Sequence, residues 1–317
     1  MRIVHFLGFP GVELPAALRA LPDLEFVAAT EAPGFLELTT GADAIILSSP
    51  SYTPELAALL AQPRSKVRWI HFASAGYETA HELGVPPGIL VTNSSQAWAP
   101  IVAEHSVALL LALCRRLPDL ERDRQLARWD RAPHEAGLRT LETMAIGILG
   151  YGTIGREIGK RLAGFGCRVI AVTRRVQETM HAEPASFAAA LPMLDALLVT
   201  LPLTRATRGL IGAPEIATMK RGSLLINVGR GGTIDQAALI AALRSGQLAG
   251  AALDVFEPEP PAAEDPIWTA PNLVVSPHLA GFGGGAGLAR LLDLLAENIL
   301  RFRDGRPLLN QVDPTRA

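Results

Sequence analysis

The sequence predicts an α/β chain built on mostly parallel sheets. Three features lead there. Short apolar runs alternate with helix-patterned segments along most of the 317 residues. One such run, Ala145 to Leu149, breaks into Gly150-Tyr151-Gly152-Thr153-Ile154-Gly155 and then into an amphipathic segment. Polar or special residues also recur just past the ends of successive apolar runs.

Composition bounds the answer. The chain is 49% hydrophobic and 19% charged, which suits one or two globular domains burying roughly three quarters of the unfolded surface. A net charge of −2 gives no sign of a nucleic-acid or anionic-membrane partner. No apolar run approaches the ~20 residues that span a bilayer. The stretch Met1–Gly8 is too short for a signal peptide and reads as a first strand. Cys114 and Cys167 sit in apolar surroundings with no CxxC partner, which fits a reducing cytoplasm. The seven histidines show no pair at metal-ligand spacing.

Taken in order, residues 2–7, 44–47, 67–72 and 89–91 read as short buried strands, and Pro54–Leu60 as a helix. The third of these strands ends in Ser74-Ala75-Gly76-Tyr77. That is either an ordinary tight turn or a place where backbone N–H groups are exposed. Residues 99–118 read as a long apolar helix, with Pro100 in its first turn and Pro118 as its stop. Mixed Arg, Asp and Glu residues follow and read as a solvated helical face. Beyond the glycine loop, strands are expected over 167–172, 196–201, 223–228, 249–255 and 272–275. Asp235 is placed to cap the helix 236–244, and Gly246 to close it.

The glycine loop has the context of a dinucleotide site. A strand precedes it, and a helix with Ile154, Ile158, Leu162 and Phe165 on one stripe follows. Gly150 makes the tight turn, Gly152 admits a pyrophosphate to the backbone, and Gly155 lets helix and strand pack closely. The helix N-terminus offers N–H groups and a positive dipole end to phosphate.

Other strand ends carry Pro202, Arg230, Asp254 and His278. In open α/β sheets the carboxyl edge is where ligands bind. Arg230 lies between glycines and suits bidentate pairing with a carboxylate. Glu259 is held between Pro258 and Pro260. A histidine paired with a carboxylate can deliver a proton to a carbonyl oxygen. Taken singly, each residue also fits a surface charge or a half-buried strand end.

As a set they resemble the D-isomer-specific 2-hydroxyacid dehydrogenases. The resemblance runs nearly end to end. It covers Ser74-Ala75-Gly76, Ala103-Glu104-His105, the glycine loop, Pro202-Leu203-Thr204 and Met219–Gly222. It continues through Ile226–Gly232, Leu253–Phe256, Glu259-Pro260 and Ser276–Gly281, with the Arg–Glu–His order and spacing. The resemblance implies that Arg230 binds the substrate carboxylate and polarises its keto oxygen. His278 would be general acid in reduction and base in oxidation, oriented by Glu259. It places Asp254 by the nicotinamide carboxamide, and Leu201, Pro202, Val228, Gly229, Ala280 and Gly281 around the cofactor. The backbone of the Ser74, Ala75 and Gly76 turn would hold the substrate carboxylate. The implied architecture is a flavodoxin-like substrate domain, 1–98 with 288–317, and a Rossmann-type cofactor domain, 99–287. A cleft between them would close on the ligand. A homodimer through the cofactor domains is implied, with Trp129 placed to reach a partner's pocket.

The chain departs from the family pattern twice. Many members have glycine where Gln96 stands, which leaves the wall near Ser95 and Trp98 undetermined. In place of the acid that binds a ribose 2′-hydroxyl, Thr173 ends the second cofactor strand, followed by Arg174 and Arg175. These favour NADP(H) over NAD(H), because the arginines can pair with a 2′-phosphate. The expected activity is reduction of glyoxylate, hydroxypyruvate, phenylpyruvate or a similar 2-keto acid. A dinucleotide-sensing binding protein of the corepressor type and a phosphoglycerate dehydrogenase-like enzyme are the alternatives. Formate dehydrogenases resemble the family but carry glutamine at the place of Glu259. No Gly-x-Ser-x-Gly elbow supports a hydrolase.

Overall fold

The computed structural model describes residues 1–7, 15–174 and 177–315. The chain divides into two units, Met1–Trp98 with Gly283–Ala317, and Ala99–Phe282.

In the first unit five strands pair in parallel: β1 (Arg2–Phe6), β2 (Glu25–Ala28), β3 (Ala44–Leu47), β4 (Trp69–Phe72) and β5 (Leu90–Asn93). Their order, β2-β1-β3-β4-β5, is that of flavodoxin. Successive side chains point to opposite faces, so one sheet makes two cores. Ile3, Ile46 and Trp69 pack with Leu291, Leu295 and Ile299 of the last helix, Gly285–Arg303. Val4, Ile45 and Ile70 pack on the other side with Phe35, Leu56 and Leu60.

The second unit has β6 (Ala145–Leu149), β7 (Arg168–Val172), β8 (Glu183–Ala185), β9 (Ala196–Val199), β10 (Ser223–Asn227), β11 (Leu248–Leu253) and β12 (Leu273–Val275). All pair in parallel, in the order β12-β11-β10-β9-β6-β7-β8. This is a doubly wound Rossmann sheet. The chain runs outward from β6 in one direction, then returns to lay β9 on its other side. Strands β6, β9 and β10 are buried along their whole length, as a sheet covered on both faces requires.

Some expectations need correction. The edge strands β2 and β8 went unmarked: β2 is four residues long with both its ends exposed, and β8 is three residues long and contains Pro184. The long helix spans Ser95–Cys114, with Pro100 inside it. A proline that near the start removes only the donor that would reach residue 96. Pro118 does not stop that helix. It sits in the first turn of the next one, Leu117–Gln125, after the left-handed Arg116. That second helix buries no residue, and its Arg122–Asp119 and Arg124–Glu121 pairs are solvated. Phe165 leaves the buried stripe: the helix ends at Leu162, and Phe165 is 41% exposed in the 3-10 turn after it. The helix Ser95–Cys114 is also long and apolar enough to span a membrane, which the short apolar runs of the sequence did not show; about half of its apolar window is buried within the protein.

Candidate active site

At the end of β6 the chain turns at Gly150, whose φ is +95°. A side chain there would press on Leu201 and Thr200, each 3.0 Å away. The Thr200 hydroxyl donates to the carbonyl of Gly150 at 2.6 Å and ties the loop to the end of β9. The loop thus lies where β6 and β9 diverge, the place where such sheets bind ligands. Gly152 is the N-cap of the helix Thr153–Leu162, and no side chain caps it. Its first-turn N–H groups have no intrahelical acceptor. A Cβ on Gly152 would meet nothing within 4 Å, whereas one on Gly155 would overlap the carbonyl of Gly150. The loop is therefore open toward solvent and closed toward the sheet, which fits a pyrophosphate. Ile154 is the next first-turn residue. The Tyr151 ring turns away to lie over Gly159, and its hydroxyl donates to the carbonyl of Met180 at 2.6 Å. Only its backbone belongs to the cradle.

At the end of β7, the Thr173 N–H donates to the Ala185 carbonyl at 3.0 Å. Arg174 is exposed beside it, and Arg175 lies outside the described residues.

The end of β9 runs into Leu201 and Pro202, whose carbonyl accepts from Thr207 at 2.7 Å. Val228, buried after β10, donates from its N–H to Val199 at 3.1 Å. Gly229 must be glycine, because a Cβ would come 2.6 Å from the Leu201 carbonyl oxygen. Buried Asn227 braces the next turn. Its Oδ1 accepts from Gly229 N–H at 3.0 Å, and its Nδ2 donates to the carbonyl of Arg230 at 2.9 Å. The Thr233 hydroxyl donates to that same carbonyl at 2.7 Å. The Arg230 Nη1 donates to the Gly229 carbonyl at 2.7 Å. A Cβ on Gly231 would overlap the backbone of Phe256, so the loops after β10 and β11 are in contact.

Asp254, at the end of β11, is 1% exposed. Its carboxylate accepts from Ser276 Oγ at 2.6 Å, Leu279 N–H at 2.8 Å and Ala280 N–H at 3.0 Å. His105 Nε2 stands 3.5 Å away, too loosely placed for a hydrogen bond. Burial alone pushes the Asp254 carboxyl upward. The nearby His105 ring, together with hydrogen bonds from the Ser276 hydroxyl and the Ala280 and Leu279 N–H groups, outweighs it and holds the carboxyl below its ordinary value. The main-chain oxygen of Asp254 accepts from His278 N–H at 2.9 Å. One buried acid thus anchors four of the five residues Ser276 to Ala280 after β12, including a histidine in left-handed conformation, φ +53°.

That histidine meets its partner. His278 Nδ1 lies 2.8 Å from Glu259 Oε2, and Glu259 Oε1 accepts from Phe256 N–H at 2.7 Å. Both carboxylate oxygens are therefore committed, and the imidazole is left 55% exposed. Gly281 follows at half burial.

In the first unit the turn after β4 has its carbonyls drawn inward. Ala73 O accepts from Trp98 Nε1 at 2.7 Å, Ser74 O from Ser94 N–H at 3.1 Å, and Ala75 O from Asn93 Nδ2 at 2.8 Å. Gly76 O accepts from Ser74 Oγ at 2.7 Å. Among the described residues no acceptor meets the N–H groups of Ala75 and Gly76. Such a turn presents donors to an anion.

Glu259 and His278 are brought into contact, and Arg230 and Asp254 leave neighbouring strands at the same edge. Sequence reasoning passed over Thr200, Asn227, Thr233 and Ser276, which position these groups. The available signal was a short polar residue at or beside each strand end. The role of Asp254 as an anchor of the His278 segment was also missed.

The chain was then compared with known proteins. Residues 107–280 match the family model described as D-isomer specific 2-hydroxyacid dehydrogenase, NAD binding domain. A glyoxylate reductase of Thermococcus gammatolerans is 33% identical over 79% of this chain and 76% of its own length. A D-3-phosphoglycerate dehydrogenase of Archaeoglobus fulgidus is 34% identical over 71% of this chain, a match that spans only 43% of that protein. The crystal structure of an NADPH-dependent glyoxylate/hydroxypyruvate reductase from Sinorhizobium meliloti, in complex with NADP and sulfate, superposes with a TM-score of 0.83. It is 27% identical and the superposition covers 99% of this chain and 98% of that one.

Proposed function

Because the chain belongs to the D-isomer specific 2-hydroxyacid dehydrogenase family, we propose that it reduces a small 2-keto acid to the D-2-hydroxy acid. Glyoxylate or hydroxypyruvate is the proposed substrate, and NADPH the preferred reductant. The observation that carries this reading is the Glu259–His278 pair. With Nδ1 committed to Glu259, Nε2 is the ring nitrogen left to face a substrate oxygen.

The roles follow from the chemistry of each group. Arg230 pairs with the substrate carboxylate and draws charge from the keto oxygen. The Ser74–Gly76 turn is assigned to the same carboxylate through its N–H groups. His278 Nε2 gives its proton to the keto oxygen in reduction and takes it back in oxidation. Glu259 keeps the ring in the required tautomer and balances the charge of its protonated form. The first-turn N–H groups of the helix Thr153–Leu162 are assigned to the pyrophosphate. A nicotinamide cofactor held there would supply the hydride in reduction and take it back in oxidation. Asp254 acts from beneath by holding the His278 segment.

Three readings extend this proposal. Thr173 in the acid's usual place, with Arg174 and Arg175 after it, favours a 2′-phosphate and hence NADP(H). The Sinorhizobium meliloti relative is described as NADPH-dependent, in line with this reading. Trp129 is fully exposed (101%) beside the 53% exposed Leu126. We assign this patch to a homodimer through the second unit. Two unpaired cysteines suit a cytoplasmic setting.

A panel of 2-keto acids assayed with NADPH and NADH tests the proposal. Turnover of glyoxylate or hydroxypyruvate is expected, faster with NADPH, and lost in His278→Ala and Arg230→Ala. Turnover confined to 3-phosphohydroxypyruvate would favour the phosphoglycerate dehydrogenase reading suggested by the Archaeoglobus fulgidus relative. Variants as active as the wild type would overturn the mechanism.

A further inference from the structure

Beneath the Ser74–Gly76 turn lies a set of buried polar side chains that the proposed reaction leaves without a role. Trp69, His71, Thr92 and Ser94 are all 0% exposed. They sit on β4, on β5 and just past its end, where His71 and Thr92 are direct partners across the strands. Hydrogen-bond arithmetic fixes every proton in the set. Trp69 Nε1 can only donate, and it lies 2.8 Å from Thr92 Oγ1. The Ser94 hydroxyl has one proton and donates it to the Phe72 carbonyl at 3.0 Å. His71 Nε2, 2.8 Å from Ser94 Oγ, must therefore be the donor in that pair. A neutral imidazole has one N–H, so Nδ1 is the acceptor, and the Thr92 hydroxyl at 2.7 Å donates to it. The chain runs one way, from Trp69 through Thr92, His71 and Ser94 to the Phe72 carbonyl, and nothing in it is left unpaired. Burial keeps the ring neutral, with its pKa pushed down to about 3.

The end of this chain touches the turn. Ser94 is held through its hydroxyl by His71, and its own N–H holds the carbonyl of Ser74. Its neighbour Asn93 holds the carbonyl of Ala75. We propose that His71 is a positioning residue for substrate binding: through Ser94 and Thr92 it fixes the end of β5, which draws the turn's carbonyls inward and leaves the N–H groups of Ala75 and Gly76 facing out. This inference rests on the assignment of that turn to the substrate carboxylate. A buried histidine that only fills the core would stabilise the fold without selective effect on the keto acid.

The test uses Ser94→Ala and Thr92→Val in the full chain, each removing one hydroxyl from the network. The KM for the 2-keto acid is expected to rise about tenfold, equivalent to about 1.4 kcal/mol. The KM for the nicotinamide cofactor and kcat should stay within about twofold. The Kd of oxamate, an unreactive 2-keto-acid analogue, should weaken in step. Ser94→Ala is the milder change and carries the test if Thr92→Val does not fold. An unchanged keto-acid KM, or a loss spread equally over both KM values and kcat, overturns the inference. A wild type that reduces no 2-keto acid defeats the proposed function instead. Backbone order parameters at Ala75 and Gly76 then decide the inference: a fall in Ser94→Ala supports it, and no change overturns it.

Discussion

Acid should destabilise the first unit through His71, by an amount set by its burial. The ordinary imidazole value of 6.5 falls to about 3 because burial strips the charged ring of water. The unfolded chain therefore takes up this proton below pH 6.5, and the folded chain only below about 3. The contribution to stability is complete above pH 6.5, is lost progressively as pH falls, and levels off below about 3. At about 1.4 kcal/mol for each pH unit between the two values, the whole window is worth about 5 kcal/mol. Between pH 7 and pH 5 the same relation gives a loss of about 2 kcal/mol. Carboxylates titrate nearby, so a reference is needed. Urea unfolding of the wild type and of His71→Gln at both pH values isolates the histidine, because glutamine does not titrate. The wild type should lose about 2 kcal/mol more than the variant on going from pH 7 to pH 5. Equal losses, within about 0.5 kcal/mol, would refute the reasoning and mean that water or a rearranged Thr92 accommodates the charged ring.

Glu259→Gln should lower kcat at least tenfold while urea stability changes by less than about 1 kcal/mol, because a half-exposed ion pair adds little to the fold; steady-state rates and unfolding curves on one sample check both. Asp254→Ala should cost about 3–5 kcal/mol, since it leaves the Ala280 N–H and the Ser276 hydroxyl buried, and the Leu279 N–H part-buried, without their acceptor, and an unfolding midpoint close to that of the wild type would count against the anchor. The Asp254 carboxyl lies below its ordinary 3.8, so its contribution is present above that pH and fades as pH falls beneath it. Gly155→Ala should weaken nicotinamide cofactor binding at least tenfold, because the new methyl overlaps the Gly150 carbonyl and must push the helix off the strand; titration by cofactor fluorescence reads it directly.

Much of the candidate site was legible in the sequence because its signals are local. The glycine loop is six residues long, and its meaning depends only on a strand before it and a helix after it. Arg230 and His278 declare themselves by the glycines and proline around them at strand ends. Glu259 does so by its flanking prolines, and family resemblance then joins the three. Elements without a local signal were lost. Strand β8 is three residues long and contains a proline, and β2 is half exposed, so only pairing to a neighbour makes either a strand. Pro100 looked like a helix start because chain direction alone cannot reveal that the preceding turn already has helical partners.

His71 and Asp254 mark the boundary most clearly. The residues themselves, and the strands they end or occupy, were set by the order of apolar and polar side chains. Their roles depend on partners about twenty residues away: Thr92 and Ser94 for one, Ser276, Leu279 and Ala280 for the other. Those partners meet because parallel strands lie about 4.8 Å apart in a specific register, which places His71 opposite Thr92 and brings the end of β11 beside that of β12. Periodicity along a chain chooses which face a side chain takes. Which side chain waits on that face, and whether a buried hydrogen bond is completed, is decided only when distant strands align.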